Sequence, residues 1–191
     1  MARPRRDWID DGIYHVFSRG SNKQAIFRRD DDRMDLLRCL DRVLQRHDIE
    51  CLAYVLMPNH CHYLLHLRNG GLSPAMRELN GRYALRFNRR HDLTAHVFQN
   101  RFGAVLQDTT EQLVWTARYV VMNPVRAGLC RHPHEWVWSS YRATAALEPC
   151  PPFLSSETLL SYFADVPERA VQMYVDVVTA QDMSVPVASG V

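Results

Sequence analysis

The sequence predicts an α+β fold built on one antiparallel sheet with helices packed on it. Three observations lead there. Strand-like and helix-like segments follow one another in the order strand, helix, strand, strand, helix, strand, helix. The two adjacent strands in the middle are separated only by Pro58-Asn59, a turn signal that makes them an antiparallel hairpin. The strand candidates are rich in branched and aromatic side chains, which can supply a common core.

Residues 12–20 read as the first strand, closed by Gly20. Asp30, Asp31 and Asp32 then give a helix entry whose charge suits the positive end of the helix dipole. From there Met34, Leu37, Leu40, Val43 and Leu44 recur at three- and four-residue spacing, which predicts an amphipathic helix to about His47. A second strand over residues 50–57 turns into a third over residues 60–67. Ser73-Pro74 opens a second helix with proline in its first turn, carrying Met76, Leu79, Tyr83 and Phe87 on one side. A fourth strand is expected from about His96 to Gln107. The run Asp108-Thr109-Thr110-Glu111 has the form of a capping box. The third helix runs from it to about Met122, where Asn123-Pro124 is expected to stop it, because the residue before proline avoids the helical region. This order resembles the split βαβ, ferredoxin-like pattern.

Hydrophobic residues make up 47% of the 191 and charged residues 23%, which suits a soluble globular protein with one substantial core. No apolar run nears the roughly 18 to 20 residues of a membrane span, and the basic N-terminus lacks the apolar segment of a signal peptide, so a cytoplasmic protein is expected. The five cysteines are odd in number and show no C-x-x-C spacing, arguing against a disulfide framework or a cysteine-rich zinc site. Charge is segregated. Residues 1–142 hold 22 Lys and Arg against 15 Asp and Glu, while residues 143–191 hold one against six. Beyond the Pro-rich boundary at 148–152 one helix is expected, over residues 168–178, then an unstructured end. The expected division is therefore a domain over residues 1–148 and an acidic, partly helical tail over 149–191.

The most informative stretch is Met57 to Leu67. Side chains alternate along a strand, so His60 and His62 project from one face and Cys61 from the other. Two neighbouring imidazoles are the beginning of a metal site and need at least one more ligand. Tyr119 and Asn123, four apart on the third helix, lie one turn from each other on the same face. The asparagine oxygen could complete a metal held by His60 and His62. Tyr119 would then set a phenol beside a Lewis acid, the position of a nucleophile for a phosphodiester.

These segments together resemble the single-tyrosine HUH transposases, and among them the REP-associated tyrosine transposases of bacteria. The matching stretches are Tyr14-His15-Val16 with Ser18-Arg19-Gly20, Met57 to Leu65, Phe98-Gln99-Asn100-Arg101-Phe102, Tyr119 to Gly128, and Trp138-Ser139-Ser140-Tyr141. The resemblance spans residues 12 to about 142. It departs from the family pattern at Cys61, where an aliphatic residue is usual, and at Phe98, where tryptophan is common. It implies a ferredoxin-like HUH domain that nicks and rejoins single-stranded DNA, with Tyr119 as nucleophile and His60, His62 and Asn123 holding Mg²⁺ or Mn²⁺. It also implies a hairpin-forming, palindromic repeat as substrate and a nucleoid-associated place in a bacterial cytoplasm. The alternatives are a domesticated protein that binds such repeats without cutting them, and a phosphodiesterase that uses water. Either a monomer or a homodimer is compatible with the sequence.

For the DNA surface, Tyr83 and Phe87 interleave with Arg82, Arg86 and Arg90 on the second helix. With Arg101, Arg118 and Arg126 they suggest a groove that binds phosphates and stacks bases.

Overall fold

A computed structural model describes residues 8–69 and 71–180. Its sheet has four strands: β1 (Ile13–Arg19), β2 (Ile49–Met57), β3 (His60–Leu67) and β4 (Gly103–Leu106). They lie in the order β2-β3-β1-β4, every neighbouring pair antiparallel. With α1 (Asp30–His47), α2 (Leu72–His91) and α3 (Thr110–Arg126) between and after them, this is the expected ferredoxin-like α+β arrangement.

Helices cover both faces of the sheet, which explains why β2 and β3 read as nearly continuous apolar runs. On one face, Val16, Cys61, Tyr63 and Leu65 pack with Leu36, Leu40 and Val43 of α1 and with Leu79, Tyr83 and Phe87 of α2. On the other, Ile13, Val55, Met57 and Leu64 pack with Leu113, Ala117, Val120 and Val121 of α3. The period of two thus sends Cys61 into the first core and leaves His60 and His62 under α3.

Three short helices follow: α4 (Tyr141–Thr144), α5 (Ser156–Leu160) and α6 (Pro167–Thr179). The segment expected as a tail begins with a bridge between Leu154 and Cys51 and buries Leu159, Tyr174 and Val178 in the core under α3. Its residues up to 180 are therefore part of the packed body. The end expected to be unstructured lies outside the described residues. Trp138 and Ser140 hydrogen-bond along the outer edge of β2, through Leu56 N–H to Trp138 O at 2.8 Å and Ser140 N–H to Tyr54 O at 3.0 Å. They cover an edge that would otherwise offer unpaired backbone groups.

Two elements differ from expectation. The strand sought over 96–107 pairs with β1 only at residues 103–106; upstream, Phe98 makes a single bridge to Gly20 and Gln99 donates to the Arg19 carbonyl. The third helix does not stop at Asn123. It passes through Pro124 to Arg126 and ends on Gly128, whose φ of 69° is the left-handed conformation of a helix terminator. Pro124 removes the N–H that would have bonded Val120 O, and the Asn123 side-chain amide takes over, donating to Tyr119 O at 2.7 Å and to Val120 O at 3.4 Å. The cap of α3 is also one residue later than the sequence suggests, with Thr109 Oγ1 accepting from Gln112 N–H.

Candidate active site

The site forms where the central strands β1 and β3 run beneath α3. Their register sets Phe17 opposite His62 and Arg19 opposite His60. Opposed residues of an antiparallel pair share a face, so His15, Phe17 and Arg19 join the histidines under α3. The His60 and His62 rings stand 5.0 Å apart and perpendicular. Tyr119 comes down from α3 and sets its ring edge-on at 5.6 Å from both His62 and His15. The Arg126 guanidinium lies over the same tyrosine ring at 5.3 Å, within cation–π range. The structure therefore brings Tyr119, His60, His62, Asn123 and Arg126 together.

The two histidines of the pair have defined partners. His60 Nδ1–H donates to Asn59 Oδ1 at 2.6 Å, which leaves Nε2 as the lone-pair nitrogen of the neutral ring. His62 Nδ1 is 2.9 Å from His15 Nε2. When His62 donates across that contact, its own Nε2 is likewise free. Asn123 lies within hydrogen-bond reach of the protonated His60 ring; its NH₂ is spent on the helix carbonyls, so its Oδ1 is the atom it offers, and toward the neutral ring it stands as a second lone-pair atom.

Burial holds the imidazoles neutral. It brings His60 down to about 4, helped by the Arg19 charge and opposed by the hydrogen bond that a protonated ring would give to Asn123. It brings His15 to about 4 as well. His62, only 1% exposed, is pushed well below the ordinary value by burial first, then by His15, His60 and Arg19. Neutral rings with free lone pairs, beside an amide oxygen, make a donor set that suits a divalent cation. Among the described residues no cluster of three or more His, Cys, Asp and Glu could hold a metal, so any ion here would rest on the two histidines and Asn123.

The model of the family described as IS200-like transposases matches residues 9–123, from before β1 to Asn123. The chain belongs to the IS200-like transposase family. A solved structure described as a REP-associated tyrosine transposase bound to a REP hairpin shares the fold: its TM-score is 0.65 at 22% identity, covering 81% of this chain and 92% of that one. A Deinococcus radiodurans protein described as a transposase, 13% identical and covering 71% of this chain and 98% of its own, has a TM-score of 0.44, too low to argue from. No curated protein matches the chain.

In this transposase the expected arginine groove is not beside the tyrosine. Helix α2 packs on the opposite face of the sheet, where Arg82 pairs with Glu78 at 3.0 Å, Arg86 with Asp35 at 2.7 Å and Arg90 with Asp32 at 2.8 Å. Tyr83 is completely buried and its hydroxyl donates to the Ile26 carbonyl; Phe87 is buried beside it. Neither ring can stack on a base without opening the core, which corrects the expectation for both. Arg118 is buried too and donates to Val177 O at 2.9 Å and Ala180 O at 2.8 Å, clamping the C-terminal end of α6. Its expected role in DNA contact is replaced by a structural one. Arg101 is exposed in the loop before β4.

His15, Phe17, Arg19 and Asn59 are site residues that the sequence reading did not single out. The signal was the alternation of β1. Once β1 is paired antiparallel to β3, His15 and Arg19 must share the histidine face. Among the described residues no helix is long and apolar enough to cross a membrane.

Proposed function

We propose that this transposase nicks and rejoins single-stranded DNA through Tyr119. The observation that carries the reading is the convergence of Tyr119 on His62 and His15 from a helix that also sets Asn123 against His60. His60, His62 and Asn123 would hold Mg²⁺ or Mn²⁺, which supplies Lewis-acid stabilisation of charge on the scissile phosphate.

The Tyr119 phenol loses its proton and its oxygen forms a bond to phosphorus. The bond from phosphorus to the 3′ oxygen breaks, and that oxygen takes up a proton as the new 3′ hydroxyl. The strand is left joined through its 5′ phosphate to Tyr119. Attack by a 3′ hydroxyl on this phosphotyrosine reverses the step, so the cut can be resealed without another energy source. The Arg126 guanidinium, 5.3 Å from the centre of the Tyr119 ring, helps hold that ring in place beneath α3.

Hairpin-forming repeats are the proposed substrate class, a reading supported by the REP hairpin in the structural neighbour. The deciding experiment incubates labelled single-stranded hairpin DNA with the protein and Mn²⁺ and resolves the products on a denaturing gel. A covalent protein–DNA adduct is expected. Cleaved product without an adduct would favour water as nucleophile, and binding alone would favour a repeat-binding protein without cleavage.

A further inference from the structure

Arg19 ends β1 at the point where that strand meets the histidine pair. It lies directly opposite His60 in the ladder, so its side chain rises on the face occupied by His60, His62 and α3. Its Nε–H is buried and has no acceptor. Among the described residues it joins no ion pair, whereas Arg82, Arg86 and Arg90 of α2 each hold a carboxylate. Its positive charge reaches both imidazoles, and no carboxylate acts on either ring in the opposite sense.

A half-buried guanidinium with an unsatisfied donor and no acid beside it carries a desolvation cost that an anion would relieve. The guanidinium fork fits two oxygens of a phosphate at once. Any strand that lies across His60 and His62 to reach Tyr119 brings a phosphodiester over Arg19. We propose that Arg19 is the docking point for the phosphodiester that Tyr119 attacks, holding its non-bridging oxygens through Nε–H and a terminal N–H. The proposal rests on the reading of the site given above, but the binding it describes needs neither metal nor cleavage.

The test is therefore made in EDTA. Anisotropy of a short fluorescein-labelled oligothymidylate gives the affinity of the full chain for a phosphodiester backbone and for an uncharged methylphosphonate backbone. Arg19→Gln should weaken binding of the phosphodiester strand about tenfold or more and of the methylphosphonate strand less than twofold. Its salt dependence should become shallower by about 0.7 in the logarithmic slope. Arg19→Lys, which keeps the charge and the stem but not the fork, should lose affinity to an intermediate degree and only for the phosphodiester. Arg38→Gln, on the far side of the molecule, is the control for general charge. Equal losses on both backbones, or none, would overturn the proposal. The Mn²⁺ adduct assay is read separately: an adduct without a backbone-specific loss sinks the Arg19 assignment alone, and a backbone-specific loss without an adduct sinks only the nucleophile.

Discussion

His15 Nε2 lies 2.9 Å from His62 Nδ1, and the two rings stack with their centroids 5.0 Å apart. A histidine that donates through one nitrogen presents the other as a lone pair, and its basicity and aim depend on the acceptor. When His62 donates across this contact, His15 is that acceptor. Replacing it with Leu should lower Mn²⁺ affinity about ten- to hundredfold, and Gln, whose amide oxygen can accept the same N–H, should recover part of the loss. Calorimetric titration of Mn²⁺ without DNA measures both. Affinity within twofold of wild type for the Leu variant would mean that the His62 tautomer is set elsewhere.

Tyr119→Phe removes only the oxygen. The ring contacts to His15, His62 and Arg126 remain possible, so thermal stability and DNA affinity should change little. Adduct formation should fall to background. An adduct that persists in this variant would reassign the nucleophile.

Acid should loosen the site before it titrates most carboxylates. Burial takes His15 and His60 from the ordinary 6.5 to about 4, and holds His62 well below 6.5. Between those values the unfolded chain binds protons that the folded chain refuses, so stability rises with pH in that window. The contribution is whole above about 6.5 and is lost as pH falls toward 4. Each such histidine adds at most about 1.4 kcal/mol per pH unit to the slope. Urea unfolding at pH 7.5 and pH 5 should show the loss, and His15→Gln should reduce it. A flat profile across that range would show that these rings are protonated as easily in the folded protein as in the unfolded one.

The elements that sequence resolved best are those governed by local chemistry. The hairpin through Pro58-Asn59 and the alternation that separates Cys61 from His60 and His62 need only the period of a strand. What stayed hidden depends on which face an element meets. Arg82, Arg86 and Arg90 look like a DNA groove along the chain, but Asp32, Asp35 and Glu78 neutralise them from α1 and from within α2. Tyr83 and Phe87 look like stacking platforms until α1 and the sheet bury them. Asn123-Pro124 reads as a helix stop because the backbone rule says nothing of a side-chain amide that can take over the missing donor.

Arg118 offers a test of the same kind of correction. Its guanidinium holds the carbonyls of Val177 and Ala180, and hydrogen bonds from a charged group are worth about 1.5 to 3 kcal/mol. Arg118→Met should destabilise the fold by about that amount in chemical denaturation. The salt dependence of DNA binding should stay as it is in the wild type. A shallower slope would return Arg118 to the DNA surface.

Asn123 carries two duties that one substitution can separate. Its NH₂ repairs the helix across Pro124, and its Oδ1 is the proposed oxygen ligand beside His60. Asn123→Asp keeps an oxygen, adds a negative charge and removes both donated bonds. A carboxylate is a stronger oxygen ligand for Mg²⁺ or Mn²⁺ than an amide, so metal affinity should rise by about tenfold or more. The carboxylate also faces the Tyr119 and Val120 carbonyls with no proton to share, so the metal-free protein should lose about 1 to 3 kcal/mol of stability, part of which Mn²⁺ should restore by binding the folded state. Thermal melts with and without Mn²⁺ distinguish the two effects. Metal affinity unchanged or weakened in Asn123→Asp, with the helix still formed by circular dichroism, would remove Asn123 from the proposed ligand set and leave it as a helix-bridging residue alone.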